Sequence, residues 1–221
     1  MNFIKKFCIY AIIVCPLPSF ASSISNQIID YLSKINLVAI EFKQINHDNT
    51  IANGQFILAK PYNFRCNYYA PYPLLIVGNK HSISLYDFEM QQLTRVNPND
   101  ESLGEGNILI NLLLNNGNLR KLFNINLIKT TNSHYLALIT NYNSNKKIVV
   151  SLSKQPLKLS KIEVINPDLP AKSRNVVLDI ISIKNIKNVS PILFSIKSPK
   201  THGYPKQLEK NELKTNYKII H

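Results

Sequence analysis

The stretch Gly54–Arg95 restricts the possible fold most, because apolar and polar side chains alternate along several short segments within it. Phe56 and Leu58 are separated by one residue, and side chains at that spacing lie on one face of a β-strand. Pro61 ends this segment, since proline has no N–H to donate to a sheet. Gly78-Asn79 supplies a turn between two later segments. The pattern predicts a β-meander of antiparallel strands.

Apolar residues on either side of the meander continue the strand pattern and add a few helices. Residues 37–45 alternate like a further strand, and residues 22–34 and 107–114 repeat apolar residues at helical spacing. Further strands are expected near 125–129, 134–140, 147–153, 158–165, 175–184 and 192–197. Many antiparallel strands with few helices favour a mostly β fold of the α+β class, an unclosed antiparallel β-barrel or strongly curved sheet. The helices would pack on this sheet or cover its opening as a lid.

Composition is typical of a folded domain with a basic surface. The chain has 221 residues, 45% of them hydrophobic, which suits a single domain with a core of its own. The formal net charge is +13, and such a charge favours anionic partners. The lysines are scattered and match no nucleic-acid-binding module, so we expect no nucleic-acid partner.

The N-terminus has the three regions of a secretory signal peptide. Lys5 and Lys6 are followed by the apolar segment 7–14 and by Ser19-Phe20-Ala21, which has small residues at the cleavage positions. We expect a signal peptide over 1–21, one domain over 22–200 and a basic C-terminal tail over 201–221. An uncleaved membrane anchor and a lipidated Cys15 are the alternatives. After cleavage at Ala21 only Cys66 remains, so no disulfide can form within the chain.

Motifs for catalysis are missing from the sequence. It contains no Gly-x-Ser-x-Gly elbow, no His-Glu-x-x-His and no phosphate-binding loop. None of the five histidines has a second histidine or a cysteine at metal-ligand spacing. We therefore expect no enzymatic activity, no cofactor and no metal site.

A series of short motifs follows a fixed order and spacing over the first half of the chain. The series begins with Phe42-Lys43-Gln44 and the glycine that opens a strand, Gly54. It continues with Lys60-Pro61-Tyr62-Asn63-Phe64-Arg65, Tyr68, Pro73, Ile76-Val77, Tyr86-Asp87 and Gln91-Gln92-Leu93-Thr94. The series resembles the periplasmic outer-membrane lipoprotein carrier family, LolA, and a later segment, Phe194–Pro199, resembles the closing strand of that family. This chain has Lys60 where the family usually has arginine, and it has no tryptophan.

The resemblance implies a function in the periplasm. A monomer of this family would carry acylated lipoproteins from the inner to the outer membrane, with their acyl chains shielded in an apolar cavity. Its partners would be the lipoproteins, an inner-membrane ABC-type lipoprotein-releasing transporter and an outer-membrane acceptor. The alternatives are an exported sensor or structural binding protein on the same scaffold, and a lipid-anchored lipoprotein acceptor.

Candidate site residues follow from the alternation and from the motif. The acyl-chain cavity is predicted at Phe56, Leu58, Phe64, Ile83 and Leu85. The concave face of the sheet would also carry Ile148, Val150, Val176 and Phe194, or else the alternate residues of each strand. The resemblance implies that Lys60 is a lid latch that donates hydrogen bonds to backbone carbonyls of the lid helices.

Overall fold

A computed structural model describes residues 20–98, 100, 105–114, 119–142, 145–168, 170, 175–196 and 217–219. Residues 1–19 of the predicted signal peptide, including Cys15, lie outside the described residues. So does most of the predicted tail. Of that tail, Tyr217–Ile219 are described and form a strand.

Three α-helices are present in the described residues: α1 Phe20–Lys34, α2 Glu105–Leu114 and α3 Leu119–Leu122. The apolar stripe predicted for α1 faces the core, where Ile28 and Leu32 are almost completely buried. Ile108 and Leu112, one turn apart on α2, are buried in the same core. The predicted helices at 22–34 and 107–114 are thereby confirmed, and each begins two residues earlier than the sequence pattern indicated.

Twelve β-strands make up most of the described chain. They are β1 Leu37–Ile45, β2 Ile51–Ala59, β3 Asn63–Tyr68, β4 Leu74–Gly78, β5 Ile83–Asp87, β6 Gln92–Val96, β7 Phe123–Thr130, β8 His134–Asn141, β9 Lys147–Lys154, β10 Leu157–Ile165, β11 Asn175–Val189 and β12 Tyr217–Ile219.

The strands form one antiparallel sheet in the order β6-β5-β4-β3-β2-β1-β11-β10-β9-β8-β7, with β12 paired to β11. In this order β6 and β7 are at opposite ends and do not pair with each other, so the sheet is not closed. The prediction of an unclosed antiparallel sheet with a few helices is confirmed. Pairing of β1 with β11 joins the N-terminal meander to the C-terminal strands, and a bulge between Glu41 and Phe42 interrupts that pairing.

The inner face of the sheet packs against α1, α2 and α3. Its apolar residues form the larger core, to which every strand from β1 to β11 contributes a fully buried side chain or a partly buried one packed alongside. Tyr31 of α1 reaches the sheet with a polar group as well, because its hydroxyl accepts a hydrogen bond of 3.0 Å from the Leu159 amide. Leu159 lies next to a register shift of β10, at which the regular ladder is locally disrupted.

The outer face of the meander is covered by residues 190–196, which we call the strap. It contains a 3₁₀ helix, Pro191–Phe194. Leu193, Phe194 and Ile196 pack with Ile57 and Val77 in a second apolar cluster. The arginine side chains of two strands hold the strap, since Arg65 Nη1 donates to Leu193 O at 3.2 Å and Arg95 Nη2 donates to Ile196 O at 3.1 Å.

Two expectations about this segment are wrong. Residues 192–197 were predicted to form a strand, and Phe194 was placed on the concave face. Ser190-Pro191 instead begins a helical turn, for which proline's fixed φ is suited. A short apolar run is compatible with a strand or with a helical turn, and here contact with the outer face of the sheet decides between them.

Candidate functional site

An apolar cavity of about 130 Å³ lies between the inner face of the sheet and α2. It lies near the centre of the sheet, where β1 joins the two halves. Its lining residues are Ile40, Phe42, Phe56, Phe64, Cys66, Tyr68, Ile76, Leu109, Ile110, Leu113, Ile162, Leu178 and Ile180.

Aromatic rings form much of the wall on the meander side. Phe56 and Phe64 are stacked, with ring centroids 5.6 Å apart and planes 20° from parallel. Phe42 and Tyr68 meet edge to face, with centroids 5.4 Å apart. Both arrangements are favourable for aromatic pairs and fix the ring positions. The wall is therefore built from large side chains that hold one another in place.

Two glycines provide the room that these rings occupy. A Cβ atom at Gly54 would lie 2.6 Å from Cζ of Phe42, and a Cβ atom at Gly78 would overlap the Phe64 ring. Gly78 is paired with Phe64 across β3 and β4, so the ring lies over the glycine backbone. Glycine within a strand often marks such a close approach.

The roof of the cavity is one face of α2. Leu109, Ile110 and Leu113 line the space, while Ile108 and Leu112 anchor the helix in the core. The roof is thus attached to the sheet by aliphatic contacts, which have no directional requirement and can be re-formed in more than one position.

The titratable lining groups are a thiol and a phenol. Burial raises the pKa of the Cys66 thiol to about 12, and burial raises the pKa of Tyr68 well above its ordinary value. Burial therefore keeps both groups neutral well above physiological pH. The Tyr68 hydroxyl donates a 2.8 Å hydrogen bond to Gln44 Oε1. The lining can hold an apolar ligand, and none of its groups is activated for acid–base or nucleophilic chemistry.

The five residues predicted for the acyl-chain cavity share the inner face but not the cavity. Phe56 and Phe64 line it. Leu58 and Ile83 are buried in the core beside it, at 0% and 1% exposure, and Leu85 packs against that core. A role for all five in acyl-chain contact stays a prediction.

Other lining residues were not singled out from the sequence. Ile40 and Phe42 alternate along β1 and could have been found from that pattern. Leu178 and Ile180 reach the cavity only because β11 pairs with β1, more than 130 positions away in the chain, with Phe42 opposite Ile180. The bulge next to Phe42 shifts this register, which alternation in the sequence does not reveal.

Lys60 lies at the end of β2 and contacts the C-terminal end of α1. Its Nζ donates to Leu32 O at 3.4 Å, and its backbone amide donates to Asn36 O at 2.9 Å. Burial lowers the pKa of Lys60 from its ordinary value. A cation is favourable at the C-terminal end of a helix, where backbone carbonyls lack partners. Lys60 therefore has the contact that a latch needs, and the same contact suits a permanent cap of α1.

The sequence profile of the family described as outer membrane lipoprotein carrier protein LolA matches residues 33–197. The chain belongs to the LolA family. The match covers β1 to β11 and the strap through Ile196, and it includes every residue that lines the cavity.

Three individual proteins similar to this chain share less than a third of their aligned residues with it. Protein RP864 of Rickettsia prowazekii (strain Madrid E) is 29% identical over 221 residues, which cover 97% of this chain and 98% of that protein. The solved LolA superfamily protein NE2245 from Nitrosomonas europaea is 11% identical with a TM-score of 0.44, covering 78% of this chain and 97% of its own. A conserved protein from Thermus thermophilus is 9% identical with a TM-score of 0.49, covering 79% of this chain and 94% of its own. The family assignment rests on the sequence match.

None of the helices that the structure describes is both long enough and apolar enough to cross a bilayer.

Proposed function

We propose that this LolA-family protein is a periplasmic carrier that shields the acyl chains of lipoproteins and moves them from the inner to the outer membrane. The observation that supports the proposal most is the apolar cavity between the sheet and α2, inside the region that matches the family. A carrier needs an apolar space that can open, and it needs no reactive group. An inner-membrane ABC-type transporter would supply the cargo, and an outer-membrane acceptor would receive it.

The cavity is too small in this structure to enclose a whole acyl chain. An apolar cavity of roughly 150 Å³ accommodates one benzene molecule, which has six carbons. The cavity here, at about 130 Å³, is slightly smaller. A sixteen-carbon chain needs two to three times as much space on the same scale. We therefore assign this structure to the empty form and propose that α2 moves away from the sheet when an acyl chain binds.

Compared with an acyl chain exposed to water, burial of the chain is favourable enough to keep α2 displaced. Exposing Ile108 and Leu112 of α2 would cost about 1.5–3 kcal/mol for each side chain, or about 3–6 kcal/mol together. Burying a sixteen-carbon chain contributes roughly 12 kcal/mol at about 0.8 kcal/mol per methylene. Because the gain exceeds the cost, cargo holds the helix open. After cargo leaves, the apolar face of α2 returns to the sheet.

Binding and transfer of an acylated protein test the proposal. Donor vesicles carrying a palmitoylated reporter protein would be incubated with the purified protein, and the soluble fraction would be analysed for a complex of the two. We expect the reporter to become soluble with the protein, and to move to acceptor vesicles only when the protein is present. A reporter that stays on the donor vesicles at saturating protein would refute the carrier function.

A pair of variants connects the result to the cavity. Phe64 lines the cavity, and Leu58 is its register partner on β2, equally buried but outside the lining. Phe64→Ala and Leu58→Ala should lower the free energy of unfolding by about 3–5 and 2–5 kcal/mol respectively. At a temperature where both variants are folded, only Phe64→Ala should change the binding of a fluorescent fatty-acid probe, because only this substitution alters the space and the contacts of the cavity lining. Equal probe binding by both variants would place the binding site elsewhere.

A further inference from the structure

A groove of about 520 Å³, lined by both polar and apolar residues, adjoins the apolar cavity toward one end of the sheet. It is formed by the end of β1, the start of β2, the β3–β4 connection and the end of β5. Tyr68 and Ile76 line both spaces, so the groove begins where the cavity ends. An amphiphile whose chain occupied the cavity could place its polar part in this groove without crossing the core.

The groove is lined by groups that form hydrogen bonds, in contrast to the cavity. Tyr68 donates to Gln44 Oε1, and Gln44 Nε2 donates to Asn46 Oδ1 at 2.6 Å. Asn46 Nδ2 donates to Thr50 Oγ1 at 2.9 Å, and Thr50 Oγ1 donates to Asp48 Oδ1 at 2.6 Å. Each bond points from the cavity toward the carboxylate at the surface. The series marks a change from an apolar to a polar environment over a few side chains.

The charge of the groove is opposite to the charge of the protein. The charged residues that line it are Asp48, Asp87 and Glu89, all of them acidic, whereas the chain has a formal net charge of +13. The hydrogen bonds from Thr50 lower the pKa of Asp48, which keeps this carboxylate ionised. Tyr72, 51% exposed, adds an aromatic face of the kind that attracts cations.

We infer that the groove is the subsite for the polar part of an acylated ligand, and that it selects the peptide following the acylated residue when that peptide carries positive charge. The inference rests on the proposed function, since it assigns the remainder of a ligand whose acyl chain lies in the cavity. Peptide N–H groups and lysine side chains would donate to the carboxylate and amide oxygens of the groove. A free fatty acid or an anionic headgroup would meet carboxylates instead.

The sign of the preference separates the groove from the rest of the surface. The net charge of the protein by itself would attract acidic ligands. Two palmitoylated peptides, identical except for lysine in one and glutamate in the other, would compete for binding against the fluorescent fatty-acid probe at about 0.15 M salt. We expect the lysine peptide to bind about three- to tenfold more tightly, the range for two partly exposed ion pairs.

Substitutions in the groove and elsewhere complete the test. Asp87→Asn with Glu89→Gln removes two charges and keeps the oxygen of residue 87 that accepts from the amides of Glu89 and Met90. This double variant leaves Asp48 as the acidic residue of the groove, so it should lose most of the preference for the lysine peptide and bind a neutral palmitoylated peptide as wild type does. Glu163→Gln with Asp179→Asn makes the same charge change on the outer face of β10 and β11 and should keep the preference.

The negative results of this experiment differ in what they overturn. If the neutral palmitoylated peptide binds but the lysine peptide gains nothing over the glutamate peptide, the groove assignment is overturned and the carrier function stands. If no palmitoylated peptide displaces the probe, the proposed function and the groove assignment are both overturned. A preference that the outer-face variant abolishes as completely as the groove variant would also overturn the assignment.

Discussion

Replacement of Cys66 by isoleucine should make the empty protein more stable and a poorer acyl-chain binder. Cys66 lies on β3 with its side chain at the cavity and is 6% exposed. Isoleucine has two more side-chain heavy atoms than cysteine, and its branched Cβ suits a strand. The added atoms would occupy free space next to Phe64 and Ile76 in place of a ligand. Stability and binding therefore change in opposite directions.

The size of each change follows from the free energy of burying carbon atoms. Two methylene-sized groups contribute about 1.6 kcal/mol, and immobilising the longer side chain costs about 0.5–1 kcal/mol. The expected gain in the free energy of unfolding is about 1 kcal/mol, or roughly 2–4 °C in Tm for a chain of this size. A ligand excluded from the same space loses about 1.6 kcal/mol, which weakens its binding about 15-fold.

Thermal unfolding and fluorescent fatty-acid binding measure the two changes on the same protein samples. Ala137→Val is the matched control, because it also adds two carbon atoms to a buried inner-face position, one that does not line the cavity. Overpacking at Ala137 should cost about 1–3 kcal/mol and leave probe binding unchanged in the folded protein. A Cys66→Ile protein that is less stable than wild type, or that binds the probe equally well, would refute the reasoning from the cavity.

Three further substitutions or conditions test separate features of the site. Lys60→Leu removes the cation at the end of α1 and should lower the free energy of unfolding by about 0.3–1 kcal/mol. If Lys60 is also a lid latch, the variant should release a bound acyl probe more slowly than wild type. An unchanged dissociation time course would leave Lys60 as a helix cap alone. Gly78→Ala forces the Phe64 ring to move and should destabilise the protein by about 1–3 kcal/mol. Adding Phe64→Leu should restore part of that loss in a double-mutant cycle, and strictly additive losses would argue against the contact. Because burial raises the pKa of the Cys66 thiol from 9.0 to about 12, the folded state holds the thiol proton more tightly than the unfolded state. The denaturant midpoint of wild type should therefore fall relative to that of Cys66→Val as the pH rises from about 9 toward 12. Parallel pH profiles of the two proteins would contradict this.

The meander could be predicted from the sequence because its information is local. Alternation placed Phe56, Leu58 and Phe64 on one face, and the structure has all three on the inner face of β2 and β3. Proline and glycine at the ends of segments set the strand boundaries to within a few residues. These signals act between near neighbours in the chain, so one sequence is enough to detect them.

The cavity could not be predicted to the same degree, since it depends on contacts between distant segments. Alternation cannot distinguish Leu58, which fills the core, from Phe64, which lines a space, because both point inward. That difference depends on where α2 crosses the sheet and on the register between β1 and β11. The prediction of a strand in the strap was wrong for a related reason. A short apolar run with Leu193 and Phe194 is compatible with a strand or a helical turn, and the contact with the outer face of the sheet decides between them.

The strap and the β1–β11 pairing also determine when the chain can finish folding. Arg65 is buried beneath Leu193, which lies 128 positions later in the sequence. During synthesis, the N-terminal meander therefore lacks both its neighbouring strand and the cover on its outer face. Non-local pairing of this kind slows folding, because a long loop must close before the contacts form. Because Arg65 and the strap lie so far apart in the sequence, the meander stays without its final contacts until most of the chain has been synthesised.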